Sequence, residues 1–349
     1  MPEPIIIGNR KIGEGYPVFI IAEIGQNHNG SMDIAKKLID QAAHDKVDAV
    51  KFCKRHIPSD LTKEKYNQPY LNPNSFGETY GKHREFLELS KEQYKELKQY
   101  AESKGLIFFA SVCDIQSADD LDEIGVEMFK VASRDLTNKP LIEHLAKKGK
   151  PIFLSTGMSD LKDIERTVNL IREYHNKILL FHCTSEYPCP YDHLNLKALI
   201  SLKNKFNLNV GMSDHSIGIM AACAAAVMGA VAVEKHVTLD RHMKGTDHIG
   251  ALDPPGMERL VVWIRNYEKA LGDGIKSLSN QEMSTKIKLA RSIVSSRDLK
   301  KGEILTKDMI TAKTHTVLGL NPFDEDKILG KRLRRDINAD NLILDEDVE

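Results

Sequence analysis

The chain has 349 residues, with 49 Lys and Arg against 50 Asp and Glu, a formal net charge of -1 and a pI near 6.9. That length accommodates one domain of roughly 250 residues plus a small one, and the scattered, balanced charge leaves no basic stripe for a nucleic acid. No run of about 18 apolar residues is present to span a membrane as a helix, the start M-P-E-P-I-I-I-G-N-R does not read as a secretory leader, and the five cysteines form no C-x-x-C.

The expectation is therefore a cytoplasmic chain with reduced thiols, in which Cys113, Cys183 and Cys223 fill core. Residues 5–12, I-I-I-G-N-R-K-I, predict a hairpin around Gly8-Asn9. A strand follows over 18–23, then a helix to 43 capped by Ser31, then a strand over 48–54. A long polar insertion over 56–83 reads as loop, a length that is often functional. Ser90 caps a helix to 103, and the rhythm continues with strand 106–111, helix 117–124, strand 127–133 and helix 140–148. Next come strand 151–157 with Asp160 capping its helix, strand 177–184 with helix 196–205, strand 209–214 with helix 219–228, and strand 231–236 with helix 255–271.

Most of these strands are near-continuous apolar runs, as parallel strands covered on both faces must be. Eight strand–helix units over roughly 255 residues predict an α/β fold, a (β/α)8 TIM barrel. A doubly wound sheet is the alternative, but no G-x-G-x-x-G follows the first strand. The expected boundaries are 1–272 for barrel and hairpin, 273–291 for a linker, and 292–349 for a small module. In that module 292–296 predict a strand, K-K-G-E-I-L a hairpin-like turn and Thr306 the cap of a helical turn.

In such barrels chemistry sits at the C-terminal ends of the strands. The polar residues predicted there are Glu23, Lys51, Ser111, Lys130, Ser133, Ser155, 184–187, 213–215 and 234–236. Lys51 (A-V-K-F) and Lys130 (M-F-K-V) each place a charge inside an apolar strand. A buried ammonium needs an anionic partner. An internal carboxylate is one candidate; with Ser111, Ser133, Ser155, Ser185 and Ser213 around them, the phosphate or carboxylate of a small substrate is the other. His215 and His236 end neighbouring strands, so two imidazoles converge, with Glu23, Asp214, Glu234 and Asp247 available nearby. Such a pair suits Mn, Fe, Co or Zn acting as a Lewis acid on a carbonyl. His182 is a third candidate, though alternation turns it outward; His242, His248 and His315 read as solvated.

The motifs F-I-I-A-E-I-G-Q-N-H-N-G (19–30), F-L-S-T-G-M (153–158), C-T-S-E-Y-P (183–188), G-M-S-D-H-S-I-G (211–218), V-E-K-H-V-T-L-D (233–240) and K-G-T-D-H (244–248) resemble the sialic acid synthase family. The stretch after 291 resembles its antifreeze-like (SAF) domain. The resemblance implies a transferase that condenses phosphoenolpyruvate with an N-acylmannosamine-type sugar or its 6-phosphate. It implies a divalent metal, Mn in preference to Mg or Co, and a domain-swapped homodimer. By motif position, Lys51, Ser111, Lys130, Ser133, Ser185 and Ser213 would hold phosphoenolpyruvate, with Ser155 beside them; His215 and His236 would hold the metal; Glu23, Tyr187 and Asp247 would face the sugar. Glu23, Lys51 and Lys130 are the expected catalytic groups.

Four positions depart from the family pattern: Cys53 stands for a glutamine, Ser111 for a threonine, Asp135 for a glutamate, and Thr314 for an arginine of the antifreeze-like domain. Lys54-Arg55 reads either as a solvated loop or as a partner for a sugar phosphate. The alternatives to the synthase are a metal-dependent pyruvate aldolase of the same fold and a non-catalytic sugar-binding protein.

Overall fold

The computed structural model describes residues 2–349, which divide into two compact units, the first ending at Leu271 and the second starting at Gly272. In the first unit eight parallel strands close into a barrel. They are β3 (Phe19–Gly25), β4 (Ala49–Lys54), β5 (Ile107–Val112), β6 (Phe129–Val131), β7 (Ile152–Ser155), β8 (Ile178–Cys183), β9 (Asn209–Asp214) and β10 (Ala232–His236), with β10 pairing back onto β3. The predicted (β/α)8 barrel is what the chain forms. The hairpin of β1 (Ile5–Ile7) and β2 (Arg10–Ile12) precedes it, and Ile5, Ile7 and Ile12 join Phe19, Phe109, Phe153 and Phe181 in one buried cluster.

Strand alternation decides the chemistry of each face. Phe19 and Ile21 enter that interior cluster, while Ile20, Ala22 and Ile24 pack in the larger cluster beneath the helices. The next inward position after Ile21 is Glu23, and the polar residues of the other strands succeed inward apolar ones in the same way. Register then sets them side by side: His236 opposite Glu23, Glu23 opposite Lys51, Ser111 opposite Lys130, and Glu234 opposite Ser213.

The outer helices are α1 (Met32–His44), α5 (Lys91–Ser103), α6 (Ile115–Glu123), α7 (Lys139–Lys147), α8 (Leu161–Arg172), α9 (Ala198–Phe206), α10 (Met220–Val227) and α11 (Pro254–Leu271). Ser31, Ser90 and Asp160 cap as predicted, each accepting from backbone N–H groups of the first turn. Helix α6 starts earlier than expected because Asp114 caps it.

The 56–83 insertion is not a plain loop. It contains α2 (Ile57–Asp60) and α3 (Lys63–Asn67) and leads into α4 (Tyr80–Leu87), with Thr62 and Thr79 as caps. These helices are too short and too polar to show a periodicity.

The second unit begins with α12 (Asn280–Leu289), inside the stretch expected to be linker, where Ser279 and Glu282 form a capping box. Strand β11 (Arg291–Ser295) pairs antiparallel with β12 (Ile310–Thr314). The K-K-G-E-I-L turn pairs with a distant segment rather than with itself: Leu299 bridges Ile337 and Ile304 bridges Arg332. Ile293, Leu299, Leu305, Ile328, Leu333, Ile337, Ile343 and Val348 make its small core.

Candidate active site

At the C-terminal end of the barrel lies a cavity of about 270 Å³. Lys51 and Lys130 stand on its floor, almost completely buried. Lys51 Nζ lies 3.1 Å from Glu23 Oε2 and 3.1 Å from Glu234 Oε2, and donates to Ser111 Oγ at 3.1 Å. Lys130 Nζ donates to Ser155 Oγ at 2.7 Å and to both Glu234 oxygens at 3.1 and 3.2 Å, above the Phe181 ring. Glu234 thus bridges both ammoniums and also accepts from Ser213 Oγ at 2.8 Å. The internal-carboxylate reading of the lysines is therefore correct as far as it goes. It does not remove the second reading, because two ammoniums share one carboxylate between them and the serines around them stay in the cavity wall.

The electrostatics follow from this sharing. Burial pushes the Glu234 carboxyl up, but the two lysines and Ser213 outweigh it and hold it well below the usual range, so this carboxylate stays ionised. Burial dominates at Glu23 and raises it well above the ordinary value despite Lys51. Its Oε2 faces Lys51 without hydrogen-bond geometry, which suits a carboxyl that carries the proton. Lys130 is lowered by burial and by Lys51, which Glu234 only partly offsets.

Beside the lysines, Gly157 N–H donates to Ser133 Oγ at 3.1 Å, and Ser133 and Ser185 face the glycine closely. A Cβ at Gly157 would meet Ser185 Oγ at 2.2 Å and Ser133 Oγ at 2.8 Å. The backbone here must approach the serines without a side chain in the way, as it does where an anion is cradled.

The histidines meet on the opposite side, with ring centroids 5.7 Å apart. His215 Nδ1–H donates to the Thr184 carbonyl at 2.9 Å, which leaves Nε2 with its lone pair. His236 Nδ1 is buried with no partner among the described residues, and burial lowers its pKa to about 3, so the ring is neutral. At His215 burial is outweighed by Cys183, Glu234 and the Thr184 carbonyl, which raise its pKa. A neutral His236 with an orphaned buried nitrogen and His215 with Nδ1 already committed, beside Asp247 and Glu23, are a donor set that fits a divalent transition ion. Among the described residues no group of three or more His, Cys, Asp or Glu is placed so that it could hold a metal ion.

All the predicted site residues except Tyr187 line the cavity. Tyr187 packs edge-on against His215 and His236, with centroids at 5.4 and 5.0 Å, and its hydroxyl donates to the Asp247 carbonyl at 2.7 Å. It props the imidazoles and the Asp247 loop from behind. Asp214 faces outward and is spent on Lys235 Nζ at 2.9 Å and on Ser216, so it is not available to a metal. His182 is also outward, bonded to the Leu194 carbonyl at 2.7 Å. His248 is buried rather than solvated, held by Thr238 at 2.7 Å and facing Asn29. All five cysteines are free; Cys183 and Cys53 line the cavity, and Cys53 Sγ lies 3.6 Å from Cys113 Sγ.

Arg55 lines the cavity and is 7% exposed, so it is not a solvated loop residue. Lys54 points away, to Glu88 and to the Arg55 and Leu89 carbonyls. Arg84, Arg134, Gln26 and Thr246 are cavity residues that the sequence reading did not single out. Arg134 follows directly after the predicted Ser133; Arg84 lies within G-E-T-Y-G-K-H-R-E-F-L-E-L-S (77–90), a stretch that also resembles the family, in its animal-type branch, but in which no residue is assigned a role from sequence.

Residues 38–276 match the model of the NeuB family, and residues 290–349 match that of the SAF domain. The N-acetylneuraminate-9-phosphate synthase of Homo sapiens is 37% identical over 341 residues, covering 97% of this chain and 95% of that protein. The N,N'-diacetyllegionaminic acid synthase of Campylobacter jejuni is 39% identical over 328 residues, covering 93% of this chain and 98% of that protein. The crystal structure of an N-acetylneuraminic acid synthetase from Leptospira borgpetersenii superposes with a TM-score of 0.72 at 34% identity, over 82% of this chain and 95% of that one.

Proposed function

This chain belongs to the NeuB family of sialic acid synthases, and from that premise we propose that it condenses phosphoenolpyruvate with an N-acylmannosamine-type sugar. The products would be a nine-carbon 3-deoxy-2-ulosonic acid and phosphate. That it is a transferase-type enzyme of nonulosonic acid synthesis follows from the family; the acceptor, the metal and the residue roles are this reading's own. The observation that carries it is the buried floor of Lys51, Lys130 and Glu234 under a wall of serines, opposite two imidazoles.

In this reading Lys51, Lys130, Ser111, Ser155 and Ser213 hold the anionic groups of phosphoenolpyruvate, and Ser133, oriented by the Gly157 N–H, and Ser185 close around its oxygens. His215 and His236 would hold a divalent ion, which supplies Lewis acidity toward the sugar carbonyl. The C2=C3 electron pair of phosphoenolpyruvate forms the new bond from C3 to the sugar's aldehyde carbon. Glu23, kept protonated by burial, gives its proton to the aldehyde oxygen as that oxygen becomes a hydroxyl. Water then adds at C2 and gives one proton back to Glu23; as the C2–O bond breaks, phosphate leaves with the bonding pair and takes the remaining hydroxyl proton, so that C2 becomes the carbonyl. The two ammoniums offset the charge on the departing phosphate. Asp247 addresses the sugar's hydroxyls, and Tyr187 keeps Asp247 and both imidazoles in place. The assembly we propose is a homodimer in which each C-terminal unit covers its partner's barrel mouth.

The test is phosphate release with phosphoenolpyruvate and a panel of acceptors: N-acetylmannosamine, its 6-phosphate, mannose and a 2,4-diacetamido sugar. One phosphate per new carbon–carbon bond is expected. Condensation of pyruvate without phosphate release would make the chain an aldolase, and no turnover with any acceptor would reject the reading.

A further inference from the structure

The cavity has a second cationic wall that the lysine floor does not account for. Arg55, Arg84 and Arg134 all face it. Asp60 lies between two of them, accepting from Arg55 Nη1 at 2.9 Å and from Arg134 Nη2 at 2.7 Å. Arg134 Nε also donates to Asp135 at 3.1 Å. Arg84 meets no carboxylate: its Nη1 donates to the Gln26 amide oxygen, and its guanidinium lies over the Tyr80 ring at 4.8 Å. Three guanidiniums thus answer to two carboxylates, and burial pushes one of those, Asp135, up to about 6.

The hydrogen bonding is incomplete in the same place. Arg55 Nε and Arg84 Nε are both buried and have no partner among the described residues. An unsatisfied charged donor in the interior is costly. It is retained where a ligand completes it, and guanidinium forks fit the oxygens of a phosphate two at a time. Asp60 holds Arg55 and Arg134 in place without using their remaining N–H groups.

We propose that Arg55, Arg84 and Arg134 form a subsite for a phosphate monoester carried by the acceptor, so that the sugar this enzyme takes is a sugar phosphate. The inference rests on the synthase reading and deepens it. It assigns the lysine floor to phosphoenolpyruvate and the arginine wall to the acceptor's phosphate, with the reacting carbons between them. Specificity against a neutral sugar then comes from leaving the buried Nε–H groups of Arg55 and Arg84 unsatisfied, the strongest form of rejection a polar site has.

The experiment compares kcat/KM for N-acetylmannosamine 6-phosphate, N-acetylmannosamine and the corresponding uronic acid in the full-length enzyme and in Arg84→Met and Arg134→Met. Wild type should prefer the phosphorylated sugar by about 100-fold or more, and each variant should lose about 10- to 100-fold on that sugar alone. The KM for phosphoenolpyruvate should stay within about twofold. Equal loss on phosphorylated and neutral sugars, a wild-type preference for the neutral sugar or the uronate, or a raised KM for phosphoenolpyruvate would each overturn the proposal. Calorimetric titration with the sugar phosphate alone gives an independent readout. Binding that weakens in both variants supports the subsite even in a preparation that does not turn over, whereas phosphate release with neutral sugar only would leave the synthase reading intact and remove the subsite. Circular dichroism and Arg84→Lys, which keeps the charge and loses the fork, separate a lost contact from a lost fold.

Discussion

Replacing Glu234 with glutamine is the most direct probe of the lysine floor. The substitution keeps the shape and one acceptor oxygen but removes the only carboxylate shared by Lys51 and Lys130. All three side chains are at most 5% exposed, so solvent does not screen the loss. Glu23 remains near Lys51, but nothing replaces the partner of Lys130 except Ser155. Removing one member of a buried pair costs about 3–5 kcal/mol, mostly the penalty of the charge left behind. With a urea m-value of about 3 kcal/mol/M, the midpoint should fall by roughly 1–2 M. Trp263, the only tryptophan, sits on α11 and reports on the barrel unit by its fluorescence. An anion that binds only the folded state adds RT ln(1 + [L]/Kd), about 2.7 kcal/mol at 100 times Kd. Inorganic phosphate should therefore restore more stability to Glu234→Gln than it adds to the parent, because the variant's floor carries an extra positive charge. A midpoint shift under about 0.3 M, or equal stabilisation of both proteins by phosphate, would refute the reasoning.

Gly157→Ala should raise the KM for phosphoenolpyruvate at least tenfold, since its Cβ would push on Ser133 and Ser185, and the overpacking cost of about 1–3 kcal/mol should lower the urea midpoint by at most about 1 M; an unchanged KM would place the anion elsewhere. Chelation should abolish turnover, added Mn should restore it, and His236→Ala should not be rescued; full activity of the chelated enzyme would remove the metal from the mechanism. His28 is buried and its pKa is lowered to about 4. Its contribution to stability is complete above the unfolded value of 6.5 and is lost as pH falls toward 4, because the unfolded chain takes up a proton that the folded ring refuses. From pH 7 to 5 this amounts to about 1.5–2 kcal/mol, which His28→Gln should remove from the pH profile of the urea midpoint. An identical profile in the variant would show that His28 is not the group titrating.

How far the site is legible in the sequence depends on how local each cause is. Lys51 and Lys130 stand out because a charge inside an apolar strand is anomalous against its immediate neighbours, and His215 and His236 stand out because each ends such a strand. Asp214 misleads for the same reason: it precedes a site histidine by one residue, and one residue in a strand is the difference between facing the cavity and facing Lys235. His248 sits in a polar loop and looks solvated until Thr238 and Asn29 close over it. Arg84 and Arg134 carry no local signal, since an arginine in polar sequence is unremarkable until the surrounding elements place it in a cavity wall.

By itself, then, the sequence determined the eight-stranded barrel, the caps Ser31, Ser90 and Asp160, and the lysines, serines and histidines gathered at the C-terminal end of the strands. These follow from alternation, apolar runs and caps, which act over two to four residues along the chain. Only the tertiary structure decided the pairings. That Lys130 and Glu234, 104 residues apart, share a hydrogen bond, that Asp60 ties Arg55 to Arg134, and that Tyr187 stands behind the histidines all depend on barrel closure and strand register. Those are set by the packing of the whole unit, and no short stretch of residues contains them.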